Sequence, residues 1–128
     1  MISFESFKAI DGVPIYQQVF TYVKRGCVAG TINNGDMLPS RRYLSALLGI
    51  NPMTVQKAFR LLEEEDLIVS IQGSGSVMNI DDRKISKMRT ELLADDIRTI
   101  TESLKRMGIT QKEAIELISK NWEENSNE

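Results

Sequence analysis

Two short apolar stripes of helical spacing, separated by a single glycine turn and followed by an uncharged glycine-bearing segment, constrain this chain more than any other feature. Residues 38–78 read LPSRRYLSALLGINPMTVQKAFRLLEEEDLIVSIQGSGSVM. Ser40, after the rigid Leu38-Pro39 pair, offers a hydroxyl to the free N–H groups of a helix start. Leu44, Leu47 and Leu48 form that helix's apolar face, and Gly49 supplies the left-handed residue that ends it. A second helix opens with Asn51 as cap and Pro52 at its first position, where the missing N–H does no harm. Val55, Ala58, Phe59 and Leu62 follow the i, i+3, i+4, i+7 pattern of a buried stripe. Residues 67–71 and 76–80 are strand-like, with 72–75 as the tip between them. Helix, turn, helix and hairpin in this order is the layout of a winged helix-turn-helix.

The face of the second helix opposite its stripe carries Met53, Gln56, Lys57 and Arg60, with Thr54 at its margin. Lys57 and Arg60 can neutralise phosphates or donate to guanine, Gln56 can pair with adenine through two hydrogen bonds, and Thr54 offers a hydroxyl and a methyl. Ser40, Arg41 and Arg42 begin the preceding helix, which in this layout straddles the DNA backbone. No acidic residue occurs between Met37 and Leu62. The plainer alternative is an ordinary solvated helix face. Gly73, Ser74 and Gly75 also read two ways, as a turn needing positive φ or as a wing whose backbone N–H groups approach phosphate or the minor groove. Their position directly after a helix-turn-helix favours the wing.

The formal net charge of −2 over 128 residues does not advertise a nucleic-acid ligand. Local field matters more than the sum, and the basic stretch ends in Glu63, Glu64, Glu65 and Asp66. Those acids are either a solvated helix end or a flank that turns nonspecific DNA away. With no histidine and one cysteine, Cys27, the usual zinc sets and an internal disulfide are excluded. No metal site, cofactor or catalytic set is expected, and the chain is not read as an enzyme. Cys27 continues the stripe of Ile15, Val19 and Val23, so it should pack rather than react. No run approaches the roughly 18 apolar residues of a membrane span, and the N-terminus lacks a signal peptide's pattern. A cytoplasmic location without membrane partners is the expectation.

An opening helix is predicted over residues 14–29, with Gly26 weakening its last turn, and a turn-rich connector over 31–37 that leads into Leu38 and has room for a short strand. From residue 81 the pattern becomes helical throughout. Ile85, Met88 and Leu92, then Leu93, Ile97, Ile100, Leu104 and Met107, make a stripe that changes phase near Leu92. Gly108 ends that helix. Thr110 and Glu113 form a capping box for a last helix whose Ala114, Ile115, Ile118 and Trp122 share a face. The fold class read from this is mainly α with a small β-hairpin: a winged helix-turn-helix over 1–80, followed by an antiparallel two-helix dimerisation tail over 81–128. The tail carries more apolar surface than two helices hide from water, so it either joins a second copy or folds back on the first domain.

These residues resemble the GntR family of transcription regulators, and the short helical tail is similar to the YtrA-like subfamily. The resemblance is carried by PIYQQ at 14–18, GDMLPSRR at 35–42, GINPMTVQKA at 49–58, Leu62-Glu63, the Gly73-Ser74-Gly75 tip and MGITQKE at 107–113. It implies a sequence-specific repressor that binds an inverted repeat as a homodimer. Position by position, Arg42 matches a backbone-contacting arginine, Thr54 and Lys57 match recognition-helix contacts, and Gly73 and Gly75 match the wing. Departures are Ile71 and Gln72 where a basic wing is common, Ser74 for a common lysine, Tyr43 for a usual glutamate and Asp66 for a usual glycine. A winged-helix module used only for protein contacts is the alternative. A small-molecule effector, if bound, is expected between protomers or between domain and tail.

Overall fold

The computed structural model describes residues 1–73 and 75–125. Its elements are α1 (Ile15–Ala29), α2 (Arg41–Leu48), α3 (Pro52–Glu64), β1 (Ile68–Ile71), β2 (Gly75–Met78), α4 (Asp82–Arg106) and α5 (Gln111–Asn125). The chain divides into two compact units, Met1–Thr90 and Glu91–Glu128. The expected class holds, mainly α with one antiparallel hairpin.

The local signals around the helix-turn-helix act as their chemistry requires. Ser40 Oγ accepts from Tyr43 N at 3.1 Å, and Asn51 Oδ1 accepts from Met53 N at 2.8 Å. Each thereby satisfies a donor that a helix start leaves unpaired. Gly49 turns at φ 66°, and its N–H bonds Ser45 O. Beyond it, Ser45 Oγ donates to Ile50 O at 2.6 Å, tying the turn to α2. Helix α3 ends differently, at Asp66 with φ 60°, an unusual conformation for a side-chain-bearing residue.

Helices α1 and α3 pack together, with α2 against α3, and bury Val19, Val23 and Cys27 on Leu44, Val55, Ala58, Phe59 and Leu62. Leu47, expected on the apolar face of α2, is 50% exposed. Leu44 and Leu48 already sit one turn apart on the inward line, and the buried neighbour on it is Ser45. Gly26, expected only to weaken α1, also makes room: a Cβ there would run into the side chain of the buried Ile32, which would have to shift, and Gly26 O accepts from the N–H groups of Thr31 and Ile32.

In the hairpin, Ile68 pairs with Met78 and Ile71 with Gly75. The connector adds to the sheet, since Met37 bridges Val77 and Leu38 N donates to Ser76 O at 3.0 Å. A further layer was not anticipated: Ile2 N donates to Met37 O at 2.8 Å, and Ile2 and Phe4 are buried in the core. Phe4 and Phe7 close on Tyr22, whose hydroxyl donates to Ser3 O at 2.8 Å. The Gln18 amide grips Ile10 and Val13, holding the rest of this arm against α1.

Helix α4 starts inside the first unit. Met88 is buried in its core and Ile85 packs against it, so these two expected dimerisation residues are occupied within the chain. In the second unit Leu93, Ile97, Ile100 and Met107 of the same stripe are exposed, Leu92 and Leu104 half-buried, and no residue of α5 is buried. Gly108 at φ 75° ends the turn after α4, and Thr110 Oγ1 accepts from Glu113 N at 3.2 Å, the expected cap.

Candidate nucleic-acid interface

Because α3 buries Val55, Ala58, Phe59 and Leu62, the helical period turns Met53, Lys57 and Arg60 outward. Met53 is 68% exposed, Lys57 and Arg60 are exposed, and Thr54 and Gln56 are half-buried. Donors, an acceptor-donor amide and a flexible thioether therefore share one accessible face of about two turns. Asn51 and Pro52 fix where that helix begins, and so where along its axis these groups stand.

Two of its cations differ in freedom. Lys57 Nζ lies 4.0 Å from the centroid of the Tyr16 ring on α1. Arg60 is exposed and, among the described residues, has no ion-pair partner. Arg42, at the start of α2, is exposed in the same way.

Arg41 is not a free backbone contact. Its guanidinium carbon sits 4.9 Å over the Phe59 ring, and Nη2 pairs with Glu63 Oε1 at 3.1 Å. These two contacts hold the Arg41 side chain against α3, so it would have to leave them to reach a phosphate. Neighbouring arginines thus have different tasks, with Arg41 fastening α2 to α3 and Arg42 facing solvent.

The acidic run at the end of α3 is exposed, as a solvated helix end is, and three of its side chains also form ion pairs with other elements, which the expectations from sequence did not include. Glu63 takes Arg41, Glu65 takes Lys24 of α1 at 3.4 Å, and Asp66 takes Lys84 of α4 at 3.6 Å. These acids are ties between elements. Lys84 goes further, with Nζ donating to Asp66 O at 2.6 Å and Asn79 O at 3.0 Å. The signal was present only as sign complementarity, since the partners lie far apart in sequence.

The wing carries no charged side chain from Leu67 to Ile80. Gly73 and Gly75 adopt φ 80° and 86°, which any Cβ would disfavour, and Ile71 beside them is 45% exposed. Ser74 lies outside the described residues. An open, mostly apolar cleft of about 510 Å³ separates α2 from the wing base, lined by Met37, Pro39, Tyr43, Phe59 and Ser76 among others.

Cys27 is buried, and burial, with Asp36 adding a smaller push, raises its thiol from 9.0 to about 11. A thiol so far from ionising is a packing group, as its stripe implies. No helix among the described residues is long and apolar enough to cross a membrane.

Comparison with known proteins agrees with this geometry. The family model for bacterial regulatory proteins, gntR family, matches residues 15–78. The HTH-type transcriptional repressor YtrA of Bacillus subtilis (strain 168) is 34% identical over 99 residues, 77% of this chain and 72% of that protein. A GntR family transcriptional regulator from Listeria monocytogenes has a TM-score of 0.76 at 30% identity, covering 88% of this chain and 98% of that one. YtrA from Sulfolobus acidocaldarius, a GntR-family transcription factor, aligns at a TM-score of 0.53 and 27% identity over 91% of this chain and 97% of that one.

Proposed function

This chain belongs to the GntR family of bacterial regulatory proteins, and from that premise we propose that it is a repressor that binds an inverted-repeat operator as a homodimer. Helix α3 enters the major groove and the hairpin lies as a wing at the backbone or minor groove. The observation that carries this reading is the outward face of α3, where Met53, Lys57 and Arg60 are exposed behind a fully buried stripe. Lys57, Arg60 and Gln56 supply base-edge and phosphate contacts, Arg42 a backbone contact, and Gly73 and Gly75 backbone N–H groups.

One such domain makes too few contacts for tight specific binding at physiological salt, and two copies spaced one helical turn apart would double them. The apolar residues left exposed in the second unit, Leu93, Ile97, Ile100, Met107, Ile115, Ile118 and Trp122, favour pairing of two chains through that unit.

The uncharged wing favours a second reading, a winged-helix module for protein contacts. Selection of bound fragments from genomic DNA, followed by titration against salt, separates the two. Recovery of a common inverted repeat whose affinity falls steeply with salt supports the repressor. Lys57→Ala and Arg60→Ala should each weaken that binding, by about 1–3 kcal/mol for a lost base contact. No enriched sequence and no salt slope would leave the protein-contact reading standing.

A further inference from the structure

Lys57 is the one cation on the outward face of α3 that the fold holds in place. Its stem is a flexible four-carbon chain, and an exposed lysine ordinarily samples many rotamers that must be given up when a ligand binds. Here the ammonium rests 4.0 Å from the Tyr16 ring centroid, within the distance at which a cation is attracted to an aromatic face. The ring itself is fixed. Tyr16 is half-buried and packs on the hydrophobic core, its hydroxyl accepts from Gln17 Nε2 at 3.2 Å, and α1 packs directly on α3. An ammonium has three N–H donors, and a ring on one side leaves the others for an acceptor.

We propose that Tyr16 is a positioning residue for DNA recognition, its ring holding the Lys57 ammonium at the point from which α3 reads the operator. The proposal rests on the reading of α3 as the DNA-contacting helix. Its consequence is specific: α1, which presents no base-reading group of its own in this scheme, sets base preference at the pair that Lys57 reads. Arg60 has no such support among the described residues, so its contact should not depend on Tyr16.

The test replaces Tyr16 in the full chain with phenylalanine and then with phenylalanines carrying progressively more fluorine, which keep ring shape while removing the negative character of its face. Affinity for the selected operator is measured with single-base variants of it, and thermal unfolding is followed in parallel. Tyr16→Phe should bind within about twofold of the parent. The fluorinated series should then lose specific affinity stepwise, by about two- to fivefold in all. Discrimination should weaken at one base pair per half-site, at unchanged unfolding temperature. In a Lys57→Ala background the same series should be flat. A flat series with Lys57 present, or an equal decline without it, overturns the positioning role. If Lys57→Ala itself binds as the parent does, the recognition reading of Lys57 fails and takes the proposal with it. A loss in Lys57→Ala beside a flat fluorine series removes the role of Tyr16 alone.

Discussion

At the scale of single residues, the two neighbouring arginines of α2 show how little residue type alone decides. Arg41 and Arg42 are equivalent as letters, and both were expected at the DNA backbone. Only the tertiary partners Phe59 and Glu63 separate them. Arg41→Met should therefore cost about 1 kcal/mol of stability, a partly exposed ion pair plus one cation–aromatic contact, and leave the salt slope of operator binding unchanged. Arg42→Met should do the reverse, lowering the slope by about one with stability intact. Equilibrium unfolding and salt titration of both variants check this. Cys27 allows a pH prediction. Its folded value near 11 lies above the unfolded 9.0, so the folded state holds the proton more tightly. The resulting contribution is fully present below pH 9 and is lost as pH rises toward 11. Against Cys27→Ala, the parent should lose up to about 2 kcal/mol more stability over that interval, and a constant difference would contradict the burial of an un-ionised thiol.

At the scale of elements, what was legible in sequence was what is encoded within a few residues. Ser40, Gly49, Asn51 with Pro52, and Thr110 act where they stand, because capping and left-handed turns are local chemistry. The arm over the first residues was missed, although Ile2 and Phe4 alternate with polar neighbours as a half-buried strand does. Two apolar positions are too short a run to distinguish from chance. The phase shift at Leu92 and Leu93 was legible, but its meaning was not. One residue turns a helix by about 100°, so the stripe of Ile85 and Met88, spent on the first unit's core, gives way to a different face at Leu93. Tyr16 stood in the PIYQQ motif, but nothing in the sequence linked it to Lys57, far along the chain. The lysine that ties α4 to the end of α3 also depends on tertiary geometry. Lys84→Met should remove two charged hydrogen bonds to the carbonyls of Asp66 and Asn79 and cost about 1–3 kcal/mol. Denaturant unfolding of the full chain reads this directly, and an unchanged midpoint would show that the seam does not need the ammonium.

At the scale of the whole molecule, the burial of Met88 changes where the protein can be divided. A boundary after residue 80 follows the change in sequence character, yet it would remove Met88, which is 3% exposed, and Ile85 from the core they complete. Losing a buried methionine and part of an isoleucine costs about 2–4 kcal/mol, so a fragment ending at Ile80 should be markedly less stable for reasons unrelated to assembly. A fragment ending at Thr90 keeps both side chains and the whole first unit. It should unfold cooperatively, sediment as a monomer, and bind the operator weakly through one recognition helix. In the full chain, Ile97→Asp or Ile100→Asp places a charge on the exposed stripe without touching that core. Either should give the same monomer with the stability of the first unit unchanged. The comparison isolates association from folding, because the two point variants and the Thr90 fragment share only the loss of the apolar face in the second unit. Sedimentation at micromolar concentration showing the full chain already monomeric, or either variant still dimeric, would move the interface away from Leu93, Ile97, Ile100 and Met107.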